Sequence, residues 1–380
     1  MITTHHQPGV IGLFADSVGA GLATLVKVLA DSPGNVVLFA RKEIGRRLMD
    51  HEAIYPFLEK LESIELRDYP DSAEFQFDTL YVTWAHSLCF TAEDRAVLKR
   101  ILPHAKRKVL LYDGNFGTYR DMLKQQLRNL ISEFDLLRQM DAICYMTVYP
   151  KRDLFSVVKR RFPLSVGPNI DLLYDSGKLT EFYADWNPLA PRRFALSCSG
   201  NKATSVWRTE LVDHLEQGLR KSPGLTLVED ESRTGPGKVI VWSVNGRRLN
   251  LAAYVDILSQ SDFVLCIPGT SWTHRPFESL VRGAIPIIDE NNLRIHDVPW
   301  VDGENCLIVR QPAKKESWAV AIQRALALRQ PDVFKMRERV RALREEWLLP
   351  AAFSARLRSK LGFSPAMVQP QPALVSQPIL

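Results

Sequence analysis

No run of this 380-residue chain approaches the ~20 consecutive apolar residues that span a bilayer, so no membrane-crossing helix is expected. The N-terminus, Met1-Ile-Thr-Thr-His-His-Gln-Pro, lacks the charged and apolar regions of a secretion signal, and a cytoplasmic location is the expectation. Cysteine is scarce. Cys89, Cys144, Cys198, Cys266 and Cys306 are odd in number and form no Cys-x-x-Cys pair. They fit neither a disulfide framework nor a zinc site, and read as reduced core residues. HExxH, P-loop, GxSxG and zinc-finger spacings are all missing, as is any internal repeat. Gly19-Ala-Gly21 is a fragment of GxGxxG, and the next strand ends in Phe39-Ala-Arg with no acidic residue, so NAD or FAD binding is not expected.

What is present is ordinary for a globular protein of two domains: 46% hydrophobic and 24% charged residues. The net charge is +6, with basic clusters at Lys106-Arg107-Lys108, at Lys159-Arg160-Arg161 and along 335–360. Such charge favours anionic partners: nucleotides, anionic lipid headgroups or nucleic acid. Glu338, Glu345 and Glu346 interleave with the last cluster, which equally fits a solvated helix face.

Short apolar runs alternate with amphipathic stretches throughout. Strands are expected at 10–15, 35–40, 79–85, 108–112 and 142–146, with helical patterns at 21–30, 41–61, 92–101 and 119–139. A proline-bearing, aperiodic segment follows at Asp185-Trp-Asn-Pro-Leu-Ala-Pro-Arg-Arg. The alternation then restarts, with strands at 193–197, 225–229, 238–243, 263–267, 285–289 and 306–309, and helices at 205–219, 251–259, 275–282, 316–328, 332–347 and 351–361. Strands separated by helical lengths predict βαβ units and parallel sheets. The expected domains are 1–185, 186–348 and a C-terminal helix and loose tail at 349–380. Two such sheets facing across a cleft would bind ligands at the carboxyl ends of their strands.

The most informative segment runs from Tyr254 to Glu290: helix, buried strand, Pro268-Gly269 turn, polar loop, helix, buried strand. Thr270, Ser271 and Thr273 place hydroxyls and amides at the mouth of the second helix, where the partial positive charge of a helix start suits a diphosphate. Arg275 adds a forked donor there. Glu278 lies one turn on, and its carboxylate can accept two sugar hydroxyls. In Ser261-Asp-Phe-Val-Leu-Cys-Ile-Pro-Gly, Arg275-Pro-Phe-Glu-Ser-Leu and Gly283-Ala-Ile-Pro-Ile-Ile the chain resembles the donor domain of the exostosin family of glycosyltransferases, with Pro268 one position late against that family's Cys-Pro. The resemblance implies a GT-B fold, α/β with two Rossmann-like domains. It also implies inverting transfer from a nucleotide-diphosphate sugar, a UDP-sugar foremost, with a donor pocket at Gly269, Thr270, Ser271, Arg275 and Glu278. It stops at the C-terminal half, so it assigns neither acceptor nor base.

Strand ends supply the remaining candidates. Gly200 allows close backbone approach, and Lys202 and Arg208 could counter a phosphate. An inverting transfer needs a general base. Asp113 and Asp16, each after an apolar strand and before a glycine-containing loop, and then His86, qualify. No Asp-x-Asp pair occurs, and the nearest acidic run is Glu229-Asp230-Glu231. The expectation is therefore a metal-independent enzyme with no cofactor beyond the nucleotide sugar, acting on a glycan or other hydroxyl acceptor. Basic patches could rest on a membrane. The rival readings are transfer to a nucleic-acid base and a non-catalytic nucleotide-binding module.

Overall fold

The computed structural model describes residues 11–15, 36–40, 64–68, 76–85, 90–113, 119–145, 154–157, 160–163, 182–244, 249, 251–268, 274–291, 293, 298–349, 352, 355, 356 and 359. The first sheet holds β1 (Ile11–Ala15), β2 (Val36–Ala40), β3 (Ile64–Asp68), β4 (Phe77–Ala85), β5 (Ala105–Asp113), β6 (Ala142–Tyr145) and β7 (Arg160–Pro163). Its order is β3-β2-β1-β4-β5-β6-β7, and every pairing is parallel. The helices α1 (Ala92–Ile101), α2 (Tyr119–Ser132) and α3 (Phe134–Gln139) belong to this half.

The second sheet holds β8 (Phe194–Ser199), β9 (Leu225–Val228), β10 (Lys238–Ser243), β11 (Ser261–Leu265), β12 (Ile285–Asp289) and β13 (Leu307–Val309). It is again parallel, in the order β13-β12-β11-β8-β10-β9. Its helices are α4 (Val206–Arg220), α5 (Leu251–Ser259), α6 (Arg275–Val281), α7 (Lys315–Ala327) and α8 (Gln330–Trp347). The strands β11 and β12 are buried at every position, as parallel strands covered on both faces must be. Two Rossmann-like domains with parallel sheets result.

Local chemistry sets the element ends. Thr91 and Asp94 form a reciprocal capping box that starts α1: the Thr91 N–H donates to Asp94 Oδ2 at 2.7 Å and the Asp94 N–H to Thr91 Oγ1 at 3.1 Å. Ser205 caps α4 by accepting the Arg208 N–H at 3.2 Å. The helical pattern at 119–139 is cut in two because Glu133 turns inward, where Arg95 Nε donates to its Oε2 at 3.1 Å. Two strands escape the sequence pattern. β3 alternates apolar and charged residues at an edge, and β7 opens on two arginines. The helical patterns at 21–30 and 41–61 lie outside the described residues. Among the described residues no helix is long and apolar enough to cross a membrane.

The stretch from Phe182 into the aperiodic segment before β8 is fastened by arginines. Arg344 Nη2 donates to the Tyr183 carbonyl at 2.6 Å, Arg337 Nη2 to that of Ala190 at 2.6 Å, and Arg282 Nη1 to that of Phe182 at 3.0 Å. Arg337 also pairs with Asp262 at 3.1 Å. Burial, then the nearby charge of Arg337, pushes Arg192 down to about 9. The basic run along 335–360 is therefore not a charged surface throughout: Arg337 is 0% and Arg344 3% exposed. Their sequence spacing gave no sign of this, since buried arginines satisfied by backbone carbonyls look like any helix-face cation.

Candidate functional site

In each sheet the chain changes direction at one place. From β8 it runs to the edge strand β9 and returns to β10 on one side, then crosses to β11 and runs the other way through β12 and β13. The crevice beyond the carboxyl ends of β8 and β11 is the switch point, where open parallel sheets bind ligands. Four of the residues singled out in the sequence meet there.

Gly200 follows β8 with φ +117°, a conformation that L side chains rarely adopt. A Cβ at this position would overlap Nη2 of Arg275 and lie 2.8 Å from its Cζ. The close backbone approach expected of Gly200 is thus made to the guanidinium of the first residue of α6. Arg208 reaches the same place from α4. It is buried, and its Nη1 donates to the carbonyls of Ile267 at 2.6 Å and Pro268 at 2.8 Å, just beyond β11. Its Nε is buried with no hydrogen-bond partner among the described residues. Burial, and next the charge of Arg275, pushes Arg208 down to about 10. Burial pushes Cys198 up to about 11 against the pull of Arg275 and then Arg208. Both guanidiniums therefore stand beside the end of β8.

Glu278 is buried one turn into α6, and the hydroxyl of Tyr254, from α5, donates to its Oε2. Burial, then the Glu278 charge, holds the Tyr254 phenol well above its usual range, so it remains a donor. Burial opposes the charge of Arg275, but Tyr254, Cys198, Glu278 and Cys266 outweigh it and its pKa ends above the ordinary arginine value. Tyr254 was missed at the sequence level. It sits in the apolar run Leu-Ala-Ala-Tyr-Val-Asp-Ile-Leu-Ser and reads there as core.

Other candidates are placed differently. Lys202 pairs with Asp213 at 2.7 Å, and its backbone N–H bonds the Val244 carbonyl at 3.3 Å. Gly269, Thr270 and Ser271 lie outside the described residues. The start of α6 also has few amides to offer. Pro276 has no N–H, and the Phe277 and Glu278 amides both bond the His274 carbonyl, at 3.0 and 3.1 Å. With seven residues the helix contributes little dipole, so the positive charge here is that of two arginines.

The switch point of the first sheet lies between β1 and β4, joined near their carboxyl ends by Thr83 Oγ1 donating to the Phe14 carbonyl at 3.0 Å. Asp113 closes β5 in register with Ala85 of β4. Asp16 and His86 lie outside the described residues and follow directly in sequence on Ala15 and Ala85. Among the described residues no three His, Cys, Asp or Glu side chains gather as a metal site.

No family model and no curated protein matches the sequence. The fold, however, is similar to solved structures over nearly the whole chain. A glycosyltransferase from Rickettsia africae aligns at TM-score 0.55 and 10% identity, covering 94% of this chain and all of that one. A UDP-forming α,α-trehalose-phosphate synthase from Burkholderia vietnamiensis aligns at TM-score 0.53 and 13% identity, covering 95% and 100%. The N-terminal domain of a trehalose-6-phosphate phosphatase from Candida albicans aligns at 0.53 and 10%, covering 93% and 96%. The chain has the GT-B fold, as expected. The narrower exostosin resemblance finds no matching family model.

Proposed function

We propose that this chain is a glycosyltransferase that moves a sugar from a nucleotide-diphosphate donor to a hydroxyl acceptor, a glycan above all. The observation that carries the reading is the pairing of Arg208 and Arg275 at the β8–β11 switch point, with Glu278 as the carboxylate beside them. Two adjacent guanidiniums repel each other, and an anion between them removes that cost. Arg275 binds the diphosphate through its fork, and Arg208 adds its charge through a buried donor with no partner among the described residues. Glu278, with Oε2 held by Tyr254, presents its other oxygen to the ribose hydroxyls. Gly269, Thr270 and Ser271 complete the donor pocket, and Gly200 leaves room for Arg275. The exostosin resemblance and the fold-similar glycosyltransferases support this reading.

The acceptor enters from the first domain. Asp113, Asp16 or His86 takes the proton from the acceptor hydroxyl as its oxygen attacks the anomeric carbon. The C1–O bond to the nucleotide diphosphate breaks on the opposite face, with inversion, and the guanidiniums hold the departing charge. Because arginine supplies that charge, transfer is expected to proceed at full rate in EDTA; a strict Mn²⁺ or Mg²⁺ requirement measured in the same assay would refute the metal-free reading.

Tyr254→Phe tests the Glu278 role. It removes one hydrogen bond to a buried carboxylate that meets the donor in ground and transition states alike. The expected result is a donor KM raised roughly tenfold with kcat little changed. An unchanged KM would separate Glu278 from the donor. The reading as a whole is tested by thermal-shift screening against UDP-, GDP-, CMP- and dTDP-sugars. A UDP-sugar is expected to raise the melting temperature, and no response to any of the four would overturn the proposal.

A further inference from the structure

Exposed apolar side chains are scattered singly over the described residues, except in one place. Leu127 and Ile131, one turn apart on α2, and Phe134, which opens α3, are 53%, 77% and 50% exposed. The helix is not misplaced: its opposite face is anchored, with Gln126 Nε2 donating to the Tyr145 hydroxyl at 3.2 Å. Ile131 and Phe134 border a groove of about 190 Å³ whose other wall is Leu98, Lys99 and Leu102.

The surroundings of this patch are cationic. Lys124 and Arg128 precede Leu127 and Ile131 by three residues each and share their helix face. Lys99, Lys124, Arg128 and Arg138 are exposed, and among the described residues none pairs with a carboxylate. The topology adds the two basic clusters seen in the sequence. The last turns of α1 and α2 come down at the amino ends of the strands, where Lys106-Arg107-Lys108 opens β5 and Arg160-Arg161 opens β7. Val109 is in register with Ala142, and Ala142 with Arg160, so these runs lie along one edge. The acidic groups nearby are largely engaged: Asp78 by Lys106 at 2.6 Å, Glu133 by Arg95, and Asp141 by the Lys108 amide at 2.8 Å. Asp135 stands exposed beside Phe134.

We propose that this edge of the first sheet docks on an anionic lipid bilayer, inserting Leu127, Ile131 and Phe134 among the headgroups while the surrounding lysines and arginines meet their phosphates. Apolar side chains ringed by cations are what an interfacial membrane site requires. A second copy of the chain is disfavoured as the occupant, because two-fold pairing would set these cations against themselves. The edge lies at the amino ends of the first sheet's strands, opposite the carboxyl ends where that sheet's switch point lies, so docking leaves that crevice open. The inference is independent of the transferase reading.

The test is co-sedimentation with phosphatidylcholine vesicles with and without phosphatidylglycerol. The protein is expected to pellet with the anionic vesicles and to be released by salt. The triple variant Leu127→Ser, Ile131→Ser, Phe134→Ser should partition at least ~tenfold less, with an unchanged melting temperature because these side chains are already exposed. Lys124→Gln with Arg128→Gln should lose a comparable factor on anionic vesicles only. Failure of the native protein to pellet, or equal pelleting by the triple variant, would overturn the proposal. So would a dimer in sedimentation velocity that the triple variant abolishes, since that would assign the face to a second copy.

Discussion

Arg275→Ala is expected to lower transfer by roughly 10²–10³-fold, the usual loss when one preorganised charge is withdrawn from a developing anion. The protein should fold as well as before. Arg275 lies beside Arg208, whose pKa is pushed down to about 10 by burial and then by that neighbour. A base whose folded pKa is depressed costs stability while it is protonated, so at neutral pH the penalty is fully in place. Removing Arg275 relieves part of it but also withdraws a cation whose own pKa, against burial, is raised by Tyr254, Cys198 and Glu278, so the two effects oppose and the melting temperature should change little. Arg275→Lys keeps the charge but loses the fork, and its activity should fall between the two. Steady-state kinetics with a thermal melt on each variant decides the matter. Turnover near that of the native protein in Arg275→Ala would remove the donor site from this crevice.

Much of this was legible in the sequence, for reasons that differ from residue to residue. The second sheet was readable because its central strands are largely apolar runs set off by Pro268-Gly269 after β11 and Gly283 before β12, which is how doubly covered parallel strands are written. Gly200 was readable as a place of close approach, though not as the neighbour of a residue 75 positions later, since only the register of β8 beside β11 brings Gly200 and Arg275 together. Arg208 was recognisable as a cation near the site, but its bonds to the Ile267 and Pro268 carbonyls depend on that same register. Tyr254 carries no local signal, because a tyrosine on an apolar helix is written the same way whether its hydroxyl meets solvent or Glu278. The buried arginines of α8 misled for a related reason: Arg337 and Arg344 sit at the spacing of surface cations and find their acceptors in distant backbone, the carbonyls of Ala190 and Tyr183.

Gly200→Ala is expected to damage the site as severely as the loss of Arg275, although the residue bears no chemistry of its own. Two costs arise together. At φ +117° an alanine is strained by roughly 1–3 kcal/mol, whatever space surrounds it. Its methyl would also overlap Nη2 of Arg275, and because β8 is held on both sides by β10 and β11, the guanidinium is the part that must move. Displacing it by the width of a methyl group takes the fork away from the diphosphate, so transfer should fall toward the level of Arg275→Ala. The two costs separate in a double-mutant cycle. With Arg275→Ala in the background the overlap is gone and only the backbone strain remains. The double variant should therefore melt above Gly200→Ala alone, with a coupling of about 1 kcal/mol or more, and its activity should fall no further than that of Arg275→Ala. Strictly additive stabilities across the four proteins would mean that Gly200 and Arg275 do not touch. The arrangement of the crevice would then need another account, because the glycine is what lets an arginine stand directly against the strand end.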